Sequence, residues 1–282
     1  MPPPHLPALL ALALSLGCDA LFAQTLGPAP WRGPVAALMA RRGAPLAVPG
    51  FGDAVVVAPD SGEARVVVVA AHGNYDRPEW QCDVWRTLVA GRAWILCPRG
   101  VARRDSPSAD DVRFTYASQA ALNREVAAGL AALRLAHGAR VAGRPIVYAG
   151  FSLGAILGVG YLRSTTEPVA AAVLVEGGHS AWSVEVARGF GRRGGGAVLF
   201  ACGQAGCARD ARRVQPRLQA AGVAADVALA RGAGHSYGGA VAEAMRPAFE
   251  RLIAPALSPS AAAPRPAAPG ARAAPPSPAP RP

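Results

Sequence analysis

The 282-residue chain contains no lysine, so all 29 of its basic residues are arginine. Two chemistries lose their reactive group: the Walker-type loop, which sets a Lys on the phosphates, and Schiff-base catalysis, which needs a Lys amine. Long apolar runs are scarce too. Past a short N-terminal stretch, Gly, Pro or Arg cuts every apolar run before the roughly 18 residues of a spanning helix, so no internal membrane span is expected. Acidic residues number 18, leaving a formal charge of +11. Such a balance suits nucleic acid when the cations cluster among aromatics. Here they fall in scattered pairs (Arg41 and Arg42, Arg103 and Arg104, Arg192 and Arg193, Arg212 and Arg213) with no interleaved aromatics, and no nucleic-acid partner is expected. The sequence has no H-E-x-x-H, no CxxC pair and no carboxylate cluster, so neither a metal nor another cofactor is expected. Gly191 and Gly194 to Gly196 precede a strand instead of leaving one, which is the wrong context for a dinucleotide fingerprint.

What is present suffices for one large core: 51% hydrophobic against 17% charged residues. Leu6 to Leu16 is apolar, and Ser15 and Gly17 place small residues just before Cys18, the layout of a secretory signal over residues 1–23. Ser15-Leu16-Gly17-Cys18 also resembles the lipobox of bacterial lipoproteins, in which Cys18 carries lipid; cleavage after Ala20 or Ala23 is the alternative. The expected location is secreted or periplasmic, the protein being either free or anchored to the membrane by lipid on Cys18. An exported chain favours disulfides among Cys82, Cys97, Cys202 and Cys207, in any of three connectivities. Residues 24–50 read as a Gly/Pro-broken lead-in, 51–254 as the domain, and 255–282 as a disordered Ala/Pro-rich tail.

Within the domain, runs that are apolar on both faces alternate with helix-like stretches. Ala64 to Ala71, Ala93 to Cys97, Pro145 to Ala149, Ala171 to Val175, Ala197 to Cys202 and Ala225 to Ala230 read as buried parallel strands. Glu79 to Ala90, Ser118 to His137, Ser152 to Arg163, Asp210 to Ala221 and Ala240 to Ile253 show the three- and four-residue spacing of amphipathic helices. The alternation predicts an α/β, doubly wound, mostly parallel sheet with ligands beyond the carboxyl ends of its strands.

One such end carries a nucleophile pattern. Gly150-Phe151-Ser152-Leu153-Gly154 follows an apolar strand and opens a small-residue helix, so that Ser152 sits on a sharp strand-to-helix turn. The bare G-x-S-x-G is weak in a chain with 32 glycines; its place at a predicted strand-to-helix junction is what gives it weight. An earlier strand ends in His72-Gly73-Asn74, whose Asn74 N–H, with that of Leu153, would form an oxyanion hole. After the last strand, Gly234-His235-Ser236 places a histidine in a Gly-rich loop. This order, strand-HG, GxSxG, late His, resembles the α/β-hydrolase superfamily over about Val66 to Phe249. With Pro98-Arg99-Gly100 it is similar, more narrowly, to secreted esterases of the polyhydroxyalkanoate-depolymerase and dienelactone-hydrolase type. The resemblance implies a serine esterase in which Ser152 attacks an acyl carbonyl and His235 moves the proton.

The acid departs from the pattern. Gly206 and Cys207 stand where the resemblance implies a carboxylate after the penultimate strand. Glu176, at the end of an earlier strand, is preferred because a carboxylate at a strand's carboxyl end faces the site; Asp210, expected in the first turn of the next helix, is the alternative. His179 is read as a polar loop residue that would otherwise line the pocket, His72 as shaping the oxyanion turn, and His137 as an ordinary helix end. Between Glu176 and Ala197 there is room for one short helix around Ala181 to Phe190 and hence only a minimal cap. An open cleft suits short acyl esters or the end of a polymeric ester. A second expectation is a non-catalytic protein of the same fold that binds or is anchored at a surface.

Overall fold

The computed structural model describes residues 43–60, 64 and 66–257. The signal segment with Cys18, residues 24–42 of the lead-in and the tail after Leu257 lie outside the described residues. In chain order the elements are β1 (Ala44–Leu46), β2 (Ala54–Val57), β3 (Val67–Ala71), α1 (Pro78–Val89), β4 (Trp94–Cys97), β5 (Val101–Ala102), β6 (Phe114–Thr115), α2 (Gln119–His137), β7 (Ile146–Phe151), α3 (Leu153–Ser164), β8 (Val169–Val175), α4 (Val184–Arg192), β9 (Ala197–Cys202), α5 (Ala205–Gln219), β10 (Ala224–Leu229), α6 (Ala240–Leu252) and α7 (Ala254–Leu257).

Eight strands form one sheet in the order β1-β2-β4-β3-β7-β8-β9-β10. From β4 to β10 all pairings are parallel, while β2 runs antiparallel to both β1 and β4. The central strands are buried along their length because both faces are covered, as the two-sided apolar runs require. Alternation along the pleat divides their side chains between two cores: Val67, Val69 and Ala71 face one layer, and Val66, Val68 and Ala70 the other. The first layer is closed by α2, α3, α4 and α5, which supply Leu130, Val159, Phe190 and Leu218. Trp85 of α1 and Met245 and Phe249 of α6 close the second.

Local signals agree with this packing. Ser118 caps α2, its Oγ accepting the Ala121 N–H at 3.1 Å, and Leu122, Val126, Leu130 and Leu133 form the buried stripe of that helix. Such a cap stabilises by about 1 kcal/mol. Disulfides Cys82–Cys97 and Cys202–Cys207 join α1 to the end of β4 and the end of β9 to α5. No helix among the described residues is long and apolar enough to cross a membrane.

The structure corrects the sequence reading at its edges. Part of the expected lead-in is strand β1, paired with β2, and neither strand was expected. The Pro45 that disguised β1 is tolerated because the strand lies at the sheet edge. The chain does not become a featureless tail at Pro255: α7 continues to Leu257, which is buried against the second core.

Candidate active site

The elbow is built by close approach. Ser152 occupies φ 49° and ψ −112°, a backbone conformation that L residues rarely adopt, between the end of β7 and the first turn of α3. Strain of this kind costs about 1–3 kcal/mol and persists only where the surroundings enforce it. Two glycines make the enforcement possible. A Cβ on Gly150 would lie 2.7 Å from the backbone of Gly154 and Ala155, and one on Gly154 would meet the Ala71 and His72 carbonyls. Strand, turn and helix therefore touch through bare backbone, and the Ser152 N–H is tied to the Val175 carbonyl of β8 at 2.8 Å. The hydroxyl is left at the head of α3.

His235 reaches it across 83 residues of sequence: Nε2 lies 2.8 Å from Ser152 Oγ. The ring packs 5.0 Å from that of Phe151, and close to half of its surface remains open. On the other side Nδ1 lies 3.4 Å from Glu176 Oε2. Glu176 follows β8 with φ 52°, which turns its side chain into the protein, where 1% of it is exposed. Oε1 accepts the backbone N–H groups of Gly203 and, at 2.9 Å, Gln204. These stand at the start of α5, where the helix dipole also favours a carboxylate. A buried acid with one oxygen held by two amides and the other directed at an imidazole is equipped to fix a tautomer and to stabilise an imidazolium.

The turn after β3 supplies the remaining wall. The N–H groups of Asn74 and Leu153 donate to no group among the described residues, as an oxyanion hole requires. A Cβ on Gly73 would lie 3.3 Å from Ser152 Cβ, so the turn abuts Ser152 directly. Beneath it, the buried His72 stacks on Tyr116 and places its ring nitrogens 2.7 Å from the Gly73 and Arg99 carbonyls. Burial lowers the His72 pKa, while the two carbonyls and the Asp76 and Glu79 charges oppose that shift. A trans peptide points its C=O and N–H in opposite directions, so holding the Gly73 carbonyl toward His72 turns the Asn74 N–H away from it.

Asp76, Gln81 and Tyr237 form a further network around the site that the sequence reading missed. Buried Asp76 accepts the Gly73 N–H at 3.2 Å, the Arg77 N–H at 2.8 Å, the Gln81 amide at 3.4 Å and the Tyr237 hydroxyl at 3.0 Å. Burial, with Asp76 beside it, pushes the Tyr237 pKa well up, keeping the phenol a donor. Tyr237 stands two residues after His235, and its ring lies 4.5 Å from that of Phe151. The only sequence signal was an acid four residues past His72, which has no distinctive pattern.

Asp210 lies elsewhere. Helix α5 begins at Ala205, so this carboxylate falls in the second turn instead of the first, where it pairs with Arg213 at 2.8 Å and Arg209 at 3.6 Å on the outer surface. The helix starts earlier than its amphipathic stripe suggests because it leaves β9 through the disulfide-closed turn. His179 sits partly buried in a 3-10 turn, and the ring of His137 packs 4.3 Å from that of Trp94. Among the described residues, Glu176, Cys202 and Cys207 bring ligand-type atoms within 4.8 Å of one another, but both sulfurs are committed to a disulfide and offer no thiolate to a metal.

No family model matches the chain, and no curated protein does. Among solved structures it is similar to the Bacillus cereus carboxylesterase, at 14% identity, covering 71% of this chain and 94% of that one with a TM-score of 0.50. It is also similar to an uncharacterized protein from Bacillus cereus ATCC 10987, at 13% identity, covering 70% of this chain and 62% of that one with a TM-score of 0.52. At such identities the likeness shows the fold, which is that of the α/β hydrolases.

Proposed function

We propose that the chain is a serine hydrolase that cleaves carboxylic esters through an acyl-enzyme on Ser152. A shared fold decides no reaction, so the reading rests on the site. The observation that carries it is the 2.8 Å contact between Ser152 Oγ and His235 Nε2, with Glu176 against the opposite ring nitrogen. His235 takes the hydroxyl proton as Oγ attacks the acyl carbonyl, and Glu176 holds the imidazolium so formed. The developing oxyanion is met by the N–H groups of Asn74 and Leu153. His235 then gives the proton to the leaving alkoxide. In the second half, water, deprotonated by His235, attacks the acyl-enzyme and releases the acid and Ser152.

The insertion between β8 and β9 supports an open cleft, since it holds one 3-10 turn and the nine-residue α4. Short acyl esters, or the accessible end of a polymeric ester, fit that geometry better than a long chain needing an enclosed tunnel. Two disulfides support an oxidising compartment, and with the N-terminal signal pattern we place the protein outside the cytoplasm, soluble or anchored through lipid on Cys18.

The test is turnover of p-nitrophenyl esters from acetyl to palmitoyl by the wild type and by His235→Ala. The reading expects higher kcat/KM for the short esters and a loss of at least about 10³-fold in the variant. Equal turnover by the two proteins would remove His235 from the reaction, and no turnover of any ester would remove the substrate class.

A further inference from the structure

We propose that the Cys202–Cys207 disulfide is a positioning element of the catalytic site, holding Glu176 at the height at which it meets His235. This rests on the acyl-transfer reading above and concerns how its acid is kept in place.

The bridge closes the turn Gly203-Gln204-Ala205-Gly206, and that turn does two things at once. Its first two N–H groups, of Gly203 and Gln204, are the donors to Glu176 Oε1. Its Gly203 also presses on the loop bearing the histidine: a Cβ there would run into the Gly234 carbonyl. The acid and the base are thus both seated on the same turn. The sulfurs themselves lie within 4.8 Å of the Glu176 carboxylate.

The end of this turn is held by α5, which begins at Ala205 and whose Ala208 N–H donates to the Gln204 carbonyl at 3.2 Å, but its start at Gly203 is not part of the helix. Two of the turn's four residues are glycine, which has the most backbone freedom to lose. The disulfide ties it between rigid ends. Cys202 is the fully buried last residue of β9, its carbonyl accepting the Ala230 N–H at 2.8 Å, and Cys207 lies in the first turn of α5. The Glu176 backbone is anchored to the same strand, its N–H donating to the Ala201 carbonyl at 2.9 Å. With both ends fixed, the two donors are fixed relative to the carboxylate they hold. Opening the bridge would free the donors while β8 kept the Glu176 backbone in place.

Cys82–Cys97 serves as the internal control, since it joins α1 to β4 within the second core, and the polar contact that its Cys82 sulfur makes is with the Val55 carbonyl and not with Ser152, His235 or Glu176. The experiment compares the full oxidised chain with Cys202→Ala/Cys207→Ala and Cys82→Ala/Cys97→Ala, in the wild-type and Glu176→Gln backgrounds, on p-nitrophenyl acetate. Losing the site bridge should lower kcat by roughly 10²-fold, the cost of displacing a catalytic group by about 1 Å, with KM changed far less. Losing the control bridge should lower the unfolding temperature and leave kcat within about twofold, because a closed loop of that size acts chiefly on stability. In the Glu176→Gln background, removing the site bridge should cost almost nothing more, since a device acting through Glu176 has nothing left to position. A merely structural bridge would give the same loss in both backgrounds.

If the double alanine variant does not accumulate folded, the same contrast is read on folded wild type. A phosphine attacks the bridge and, with one water supplying the oxygen and both protons, leaves two thiols and the phosphine oxide, and iodoacetamide adducts report which bridge has opened. Turnover should fall in step with opening of Cys202–Cys207 and not of Cys82–Cys97. Unchanged kcat with the site bridge gone, or a loss that adds in full to that of Glu176→Gln, overturns the proposal. A wild type that hydrolyses no ester and takes up no fluorophosphonate refutes instead the reading on which it rests.

Discussion

The Tyr237 hydroxyl donates to Asp76 Oδ1 at 3.0 Å, joining the loop that carries His235 to the turn that carries Asn74. The proposed base and the Asn74 N–H come from distant parts of the sequence, and this bond sets one against the other. Asp76 also accepts the Gly73 and Arg77 N–H groups, so its carboxylate is the common anchor of the β3 turn. Tyr237→Phe deletes one bond and leaves the ring packing on Phe151. It is expected to lower stability by about 1 kcal/mol and kcat by roughly 10-fold, with little change in KM, because the His235 loop loses its tether while the cleft stays intact. Thermal unfolding and ester kinetics on one preparation check both numbers; an unchanged kcat would show that the loop holds His235 without the bond.

Glu176 and Asp210 make opposite predictions. Replacing a buried acid that orients an imidazole by its amide reverses a hydrogen bond, and Glu176→Gln is expected to lower kcat by about 10³- to 10⁴-fold without unfolding the protein. Asp210→Asn removes a surface pairing with Arg213 and Arg209 and is expected to stay within about twofold. Steady-state kinetics of the two variants side by side decide the matter, and a larger loss for Asp210→Asn would reverse the assignment.

A pH effect on stability follows from Glu125. It is buried in α2 and accepts the Gly100 N–H at 2.8 Å, and burial raises its pKa above the ordinary 4.5. An acid whose pKa is raised on folding binds its proton more tightly in the folded state. Stability is therefore lost as pH climbs from the unfolded through the folded pKa, and the whole cost is present above that window. Glu125→Gln keeps an acceptor for Gly100 and removes the ionisation. The variant should melt above the wild type at neutral pH, with the gap closing as pH falls below the ordinary carboxylate range. A gap of constant size across that range would assign the effect to packing instead.

Much of this was legible in the sequence because it is local. Strands buried on both faces announce themselves as unbroken apolar runs, and the Ser152 elbow needs only glycines at fixed offsets around one residue. Edge structure was harder: β1 contains Pro45, and β2, though a run of valines, is too short to be told from a loop. For the acid, a strand's carboxyl end was reason enough to prefer Glu176 over Asp210, but the features that separate the two in the fold, the positive φ of Glu176 and the start of α5 at Ala205, have no local pattern. The Asp76–Tyr237 bond spans 161 residues of sequence and has no local pattern at all. Long-range polar pairs of this kind are fixed by the packed sheet, which is why the network around the site became visible only with the fold.

The central claim is that the Ser152 hydroxyl is a nucleophile activated by His235. It is tested most directly by incubating the full chain with a fluorophosphonate and locating the adduct by peptide mass spectrometry. The account predicts phosphonylation at Ser152, none in Ser152→Ala, and labelling at least about 10³-fold slower in His235→Ala. A wild-type chain that stays unlabelled at Ser152, or one that labels there as fast without His235, would contradict it.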